Sequence, residues 1–164
     1  MINLKEIINK IITKNNLYCL VIIVIIFYLD RYSKIKILNS YSDNIYYINN
    51  FINFDLVWNT GIGFGLLSFD SNLYYNLITI LILVVIISLV IISLNSDNID
   101  KITFSTIIGG ALGNFYDRIT FKAVPDFIDL HYGNFHWFTF NVADIFITIG
   151  IICFILNEIF VKSN

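Results

Sequence analysis

Residues 73–94 read LYYNLITILILVVIISLVIISL, and no charged residue occurs between Asp70 and Asp97. About 20 consecutive apolar residues in a helix suffice to cross the hydrocarbon core of a bilayer. This stretch therefore predicts a membrane-spanning helix, and the rest of the chain has to be organised around it.

The composition agrees with a membrane protein. Hydrophobic residues make up 57% of the 164 residues and charged residues only 13%, whereas soluble domains carry about 25% charged residues. Intrinsic disorder and an ordinary soluble enzyme are both excluded, because too little charge is present to cover this much apolar surface. The net charge of −2 offers no basic surface for phosphates, so nucleic acid is not an expected partner.

Three shorter apolar runs flank the central helix, and each is long enough to span only if it includes charges at one end. The first resembles a secretory signal peptide, but Asp30 and Arg31 follow it where a small-residue cleavage site would stand, so we interpret it as a retained helix. The prediction is an all-α membrane protein with one domain over residues 1–164. Its four transmembrane helices lie at about 15–37, 72–94, 101–120 and 141–161, with extracytoplasmic segments at about 38–71 and 121–140.

An up-and-down bundle of these helices brings Asp30, Asp117 and Asp144 to one face of the bilayer. Charged groups in a membrane are costly unless they are paired or hydrated, so such a cluster indicates a functional site. The positive-inside rule gives cytoplasmic termini and an outward-facing site, provided that Arg31, Lys34 and Arg118 are held by the site itself.

The segment between the first two helices contains a different pattern. Phe54, Leu56 and Trp58 alternate with Asp55 and Val57, which predicts a short strand. We expect a small extracytoplasmic β-sheet between helices 1 and 2, lying at the membrane interface.

Two polar patterns indicate a pocket. Asp30 and Lys34 are four residues apart on a helix and can form an ion pair. The glycine cluster that starts at Gly109 allows close helix packing, and the polar residues that follow it share one side of the helix. Those polar residues are Asn114, Asp117 and Arg118.

Carboxylate chemistry is the chemistry that these residues best support. Asp126 is flanked by apolar residues, and Asp144 lies in the first turn of the last helix. If they face each other, they share one proton and can serve as acid and base for the attack of water on a carbonyl. The apolar flanks favour the neutral form of Asp126, and the helix N-terminus favours the anionic form of Asp144. His131 and His136 have no recognised ligand spacing with Asp126, so we expect no metal and no cofactor.

Five motifs in this order resemble the bacterial lipoprotein signal peptidases, or signal peptidase II, over nearly the whole chain. The resemblance is carried by Asp30-Arg31-Tyr32-Ser33-Lys34, Asn59 to Gly65, Gly109 to Arg118, Val124 to Asp129, and Phe140 to Asp144.

The resemblance implies an aspartic endopeptidase that lies among the lipids of the bacterial inner membrane. Such an enzyme cleaves prolipoproteins before a diacylglyceryl-modified cysteine, and the antibiotic globomycin inhibits it. It implies that Asp126 and Asp144 are the catalytic pair. The residues that it implies bind substrate or support the site are Asp30, Lys34, Asn59, Asn114, Arg118 and Asn141, to which we add Gly110 of the glycine cluster.

A second class of protein competes with this interpretation. A non-enzymatic membrane protein, such as a channel subunit or an assembly factor, could also place an acidic cluster at one bilayer face. A conducting pathway needs polar groups through the full depth of the bilayer, and residues 73–94 offer only Tyr, Asn, Thr and Ser.

Overall fold

The computed structural model describes residues 11–41, 44–61 and 72–160. Within these ranges the chain forms four long helices, at the positions that the apolar runs predict, with ends that differ from the predicted ends by three residues or fewer. They are α1 (Lys14–Ser40), α2 (Asn72–Asn95), α3 (Asn98–Phe121) and α4 (Val142–Phe160).

Local sequence explains where the helices begin and end. The Thr13 side chain accepts a hydrogen bond from the Asn16 amide and caps α1, and Asp97 caps α3 in the same way through the amide of Asp100. Lys122 adopts a left-handed conformation with φ of 58°, which ends α3.

Polar contacts at one end of the bundle establish the helix directions. Asn15 donates to Asn98 over 2.7 Å, and Asn157 donates to Asp100 over 2.8 Å. The starts of α1 and α3 therefore lie beside the end of α4. At the other end, the Tyr75 hydroxyl near the start of α2 donates to the Arg118 carbonyl near the end of α3, over 3.1 Å. Helices consecutive in sequence thus alternate in direction as predicted, and α3 packs against the other three, running parallel to α1.

Large apolar side chains cover the outside of this bundle. On α2, Leu77, Ile80 and Leu81 are each more than half exposed, and an apolar surface of this extent is stable only in contact with lipid or a partner. Two helices among the described residues are long and apolar enough to cross a membrane, Leu73–Asn95 and Val142–Phe160, with mean hydropathies of 3.4 and 2.1. Membrane crossing by α1 and α3, which carry charges, stays a prediction.

A four-stranded antiparallel sheet caps the bundle, and its origin corrects the sequence prediction. Only half of it lies between the first two helices; the other half is formed by the segment between α3 and α4. The strands are β1 (Tyr46–Asn49), β2 (Ile52–Asn59), β3 (Val124–Tyr132) and β4 (Phe135–Phe140), in that spatial order. The predicted strand at residues 54–58 lies within β2.

Both later strands were missed, and for β3 the reason is that its sequence lacks alternation. It lies between β2 and β4, and six of its first eight residues are buried, so side chains on both of its faces are covered. A strand covered on both faces does not show the period of two that identifies a half-exposed strand.

Strand pairing positions the polar side chains of the sheet. Val57 pairs with Asp126, and Asn59 pairs with Val124. Because paired residues share a face and alternate residues return to it, Asn59 and Asp126 point to the same side of the sheet.

Candidate active site

Asp126 projects from β3 toward the start of α4, and its side chain is almost fully enclosed. The residue is 2% exposed. One carboxylate oxygen accepts a hydrogen bond from the Asn141 side-chain amide over 2.6 Å, and the other accepts from the Asn59 amide over 2.9 Å. Two neutral amides therefore fix the carboxyl group, and neither supplies a full positive charge.

Asp144 occupies the first turn of α4 and is only half-buried. Its carboxylate accepts from the Asn141 backbone amide over 3.1 Å, while the Asn141 side-chain oxygen accepts from the Asp144 amide over 3.1 Å. This is the reciprocal arrangement of a capping box. The second carboxylate oxygen accepts from the Asn114 side chain over 2.8 Å. Asn141 thus contacts both aspartates and holds them side by side.

The environment of Asp126 opposes its charge. Burial, and to a lesser extent the nearby charge of Asp144, raise the pKa of its carboxyl from 3.8 to about 6, against the lowering effect of hydrogen bonds from Asn59 and Asn141. The shift has the direction that the apolar flanks of Asp126 predict. A carboxyl group of this kind can hold a proton close to neutral pH.

A buried ion network supports the site from α1 and α3. Lys34 donates to Asp30 over 2.9 Å and to Asp117 over 2.7 Å, and all three side chains are essentially inaccessible. Arg31 adds a second cation, 2.5 Å from Asp117. The other oxygen of Asp30 accepts from the Ala143 amide over 3.0 Å and so ties α1 to the start of α4. The predicted pair of Asp30 and Lys34 is present.

Asp117 and Arg31 complete this network, although the residues implied by the family resemblance do not include them. The sequence predicts Asp117 in the acidic cluster and on the polar side of its helix, and its ion pairs with Lys34 and Arg31 agree with that position. Arg31 was expected to be held by the site, but its adjacency to Asp30 in sequence did not indicate that its side chain also reaches Asp117.

Two glycines let the helices approach closely enough to build this site. A Cβ on Gly110 would lie 2.5 Å from the Ala143 carbonyl oxygen, so Gly110 supports the site by admitting α4 and not by binding. A Cβ on Gly113 would overlap the Asp30 carboxylate. Gly113 is a supporting position that the sequence prediction did not single out.

Arg118 is buried and lines the same cavity as the aspartates. One terminal nitrogen donates to the Gly61 carbonyl, and the residue is 4% exposed. Nε and the other terminal nitrogen have no hydrogen-bond partner among the described residues. Buried donors without partners are costly, so this side chain has capacity for polar atoms of a ligand.

Two cavities meet at Asp144. The larger, of about 670 Å³, runs between α2, α3 and α4, and the polar side chains that line it gather at the aspartate end. The smaller, of about 240 Å³, lies between β4 and α4 and shares Asp144 and Thr148 with the larger one. The larger cavity has the polar lining residues Asn59, Asn114, Arg118, Asp126, Asn141, Asp144 and Thr148, and otherwise apolar walls such as Ile82, Ile107 and Phe154.

The two histidines lie elsewhere. His136 is 2.7 Å from the carboxylate of Asp129, and His131 is 3.7 Å from the same oxygen. Asp129 is an odd number of residues from Asp126 on the same strand, so it points to the other face of the sheet. These histidines therefore do not join Asp126.

Comparison with known proteins supplies the family. A family model described as Signal peptidase (SPase) II matches residues 22–160. The chain belongs to the signal peptidase II family. A protein of Pelagibacter ubique (strain HTCC1062) named lipoprotein signal peptidase is 54% identical over 95% of this chain and 96% of its own length. Another with that name, from Anaplasma marginale (strain Florida), is 40% identical over 89% of this chain and 86% of its own.

Solved structures support the same assignment. A bacterial membrane enzyme determined at 2.3 Å resolution superposes with a TM-score of 0.75 and 29% identity, over 90% of each chain. A second, determined at 1.9 Å, has a TM-score of 0.71 and 27% identity, over 88% of this chain and 94% of its own. As a member of the signal peptidase II family the chain is a membrane-bound protease, and not a channel subunit or an assembly factor.

Proposed function

We propose that this member of the signal peptidase II family is an aspartic endopeptidase in which Asp126 and Asp144 activate water. The observation that carries the proposal is the position of Asn141, which contacts both carboxylates at the polar end of an otherwise apolar cavity. The substrate class is a lipoprotein precursor cleaved before a diacylglyceryl-modified cysteine.

The two aspartates divide the proton transfers. Asp144, at a helix N-terminus and with donors on both oxygens, takes a proton from the attacking water, whose oxygen bonds to the scissile carbonyl carbon. Asp126 enters protonated, as its raised pKa allows, and donates to the carbonyl oxygen. When the tetrahedral intermediate collapses, the C–N bond breaks and the proton held by Asp144 passes to the amine, while Asp126 takes back a proton from a hydroxyl of the intermediate as the new carboxyl group forms.

The two cavities suit a substrate with apolar groups on both sides of the cleaved bond. A lipidated precursor carries the apolar signal peptide before that bond and acyl chains after it. The apolar walls would accept these groups, while Arg118 would donate to a backbone carbonyl of the peptide from the two nitrogens that have no partner in the described part of the chain.

A lipidated precursor lies in the membrane, and the proposed arrangement of the enzyme in the membrane follows from this. All four helices cross the bacterial inner membrane, both termini are cytoplasmic, and the sheet and the aspartates face outward. The exposed apolar side chains of α2 and α4 support lipid contact, and the alternating helix directions support an even number of crossings. Globomycin is expected to compete with the precursor, and the water-activating step proposed here uses no cofactor.

Cleavage of a lipidated precursor by purified protein in lipid vesicles tests the proposal. Asp126→Asn and Asp144→Asn should each lower the rate by at least about a thousandfold, because each removes an acid–base group. Asp129→Asn is the matched control, since it alters a buried carboxyl of the same strand that points to the other face. This control should cleave and remain sensitive to globomycin. Wild-type rates in either catalytic variant would refute the aspartate pair.

A further inference from the structure

Lys34 is a buried cation that the proposed reaction leaves without a role. Its side chain is 1% exposed. An ammonium group has three protons to donate, and each has an acceptor. Two are the carboxylates of Asp30 and Asp117, and the third is the side-chain oxygen of Asn114, at 2.9 Å.

The third contact determines how the Asn114 amide is oriented. An ammonium group only donates, so the Asn114 oxygen must face Lys34. The amide nitrogen then faces Asp144, to which it donates over 2.8 Å. A flipped amide would set an NH₂ group against Lys34 and an oxygen against the Asp144 carboxylate, so that both contacts would be repulsive.

We propose that Lys34 is a positioning residue for the reaction: by fixing the Asn114 amide it holds a hydrogen-bond donor on Asp144 and so keeps the aspartate pair in its singly ionised form. Lys34 has no hydrogen bond to either aspartate of the pair; it holds the Asn114 amide, and its positive charge also acts on both carboxyl groups across space. The inference rests on the proposed pair of Asp126 and Asp144 and assigns a function to the buried network beside it.

The charges of the network make a balanced test possible. The network consists of two cations, Lys34 and Arg31, and the carboxylates of Asp30 and Asp117, and their formal charges cancel. The double variant K34M/D117N removes one charge of each sign and the contact with Asn114. The matched variant R31M/D117N removes the same charges and keeps Lys34 beside Asn114. Groups that could also influence Asp144 stay in both variants, namely Asp30 on α1, Arg118 on α3 and Asp126 on β3.

The readout is the pH profile of kcat/KM for a lipidated precursor, together with kcat and KM measured separately. In K34M/D117N the ionised pair loses a donor, so the acid limb should move to higher pH by about one unit, a tenfold effect. At neutral pH kcat should fall at least about tenfold while KM stays within about twofold, because the lost contact stabilises the reacting groups and not bound substrate. The R31M/D117N profile should keep the wild-type acid limb.

A single substitution tests the same effect without changing the charged network, on which folding depends. Asn114→Ala leaves all four charges in place and removes the group that transmits the effect, so it should show the same movement of the acid limb. Identical profiles in K34M/D117N and R31M/D117N, or a wild-type profile in Asn114→Ala, overturn the role of Lys34. Failure of the aspartate pair is a separate result, since it would appear as cleavage by Asp126→Asn or Asp144→Asn.

Discussion

Asp126, besides its proposed chemical role, makes the stability of the folded protein depend on pH. Its carboxyl has a pKa of about 6 in the folded protein, above its ordinary value of 3.8. The folded state therefore binds more protons than the unfolded state between these values, and stability falls as pH rises through this window. A shift of this size corresponds to about 3 kcal/mol of unfolding free energy above pH 6.

Asp126→Asn should remove this pH dependence. The midpoint of thermal unfolding, measured in the same detergent at pH 4 and pH 7, should fall less between the two pH values in the variant than in the wild type. Each protein is compared with itself at the two pH values, so a constant loss of stability from altered hydrogen bonds in the variant cancels. An equal difference in Asp126→Asn and wild type would contradict the raised pKa.

At Gly113, the methyl group of an alanine would overlap the carboxylate of Asp30. Alanine is favoured over glycine in a helix by about 1 kcal/mol, but overpacking costs about 1–3 kcal/mol and displacing a buried carboxylate adds to this cost. Gly113→Ala should therefore destabilise the protein and impair cleavage, because the Cβ would displace Asp30 from Lys34 and Ala143.

Gly109→Ala is the control for this change. There a Cβ would lie 2.9 Å from Cβ of Ile26, so the variant overpacks an apolar contact one turn away. It should lower the midpoint of thermal unfolding and leave kcat near wild type at a temperature where the protein is folded. Gly113→Ala should lower both quantities, and a wild-type kcat in that variant would contradict the role assigned to Asp30.

At the scale of elements, the helices could be predicted and half of the sheet could not. Residues 73–94 identify α2 by length and lack of charge alone, and the alternation from Phe54 to Trp58 identifies β2. Strand β3 was missed because it has no exposed face to create alternation. Its pairing with β2 depends on contacts between residues more than 60 positions apart, which local patterns do not record.

In the candidate site, contacts within one helix could be predicted and contacts between elements could not. Spacing within a helix was enough to pair Asp30 with Lys34. The contacts that converge on the aspartates, such as Asn59 with Asp126 and Asn114 with Asp144, join different elements. For Asn59 only the family resemblance indicated a role, because its approach to Asp126 depends on the register of β2 against β3.

At the end of the bundle away from the aspartates, α3 and α4 are joined by a buried hydrogen bond. Asn157 donates to Asp100 over 2.8 Å, and both residues are almost fully buried. Asn157→Leu should cost about 1–3 kcal/mol, because it leaves a buried carboxylate without this donor. The midpoint of thermal unfolding should fall accordingly.

Cleavage should be unaffected by that change at permissive temperature. Asp100 lies 17 residues before Asp117 on one helix, which places the contact about 26 Å from the ion network at 1.5 Å per residue. Changes at sites this far apart without shared partners act independently. A changed KM or kcat in folded Asn157→Leu would mean that the two ends of the bundle are coupled.

For the whole molecule, the proposed orientation in the membrane is open to direct test. The turn between β3 and β4 and the link between α2 and α3 lie at opposite ends of the bundle. Exposed residues are available in both places, Asn134 in the turn and Asn95 at the end of α2. If the aspartates face outward, Asn134 is outside the inner membrane and Asn95 is on the cytoplasmic side.

Single cysteines at these two positions, in a chain with Cys19 and Cys153 changed to alanine, give the measurement. A membrane-impermeant maleimide applied to intact spheroplasts should label Asn134→Cys and should label Asn95→Cys only after permeabilisation. Each labelled protein must still cleave the lipidated precursor, which ensures that the topology measured belongs to folded enzyme. The opposite labelling pattern would put the aspartates on the cytoplasmic side and would contradict the proposed orientation.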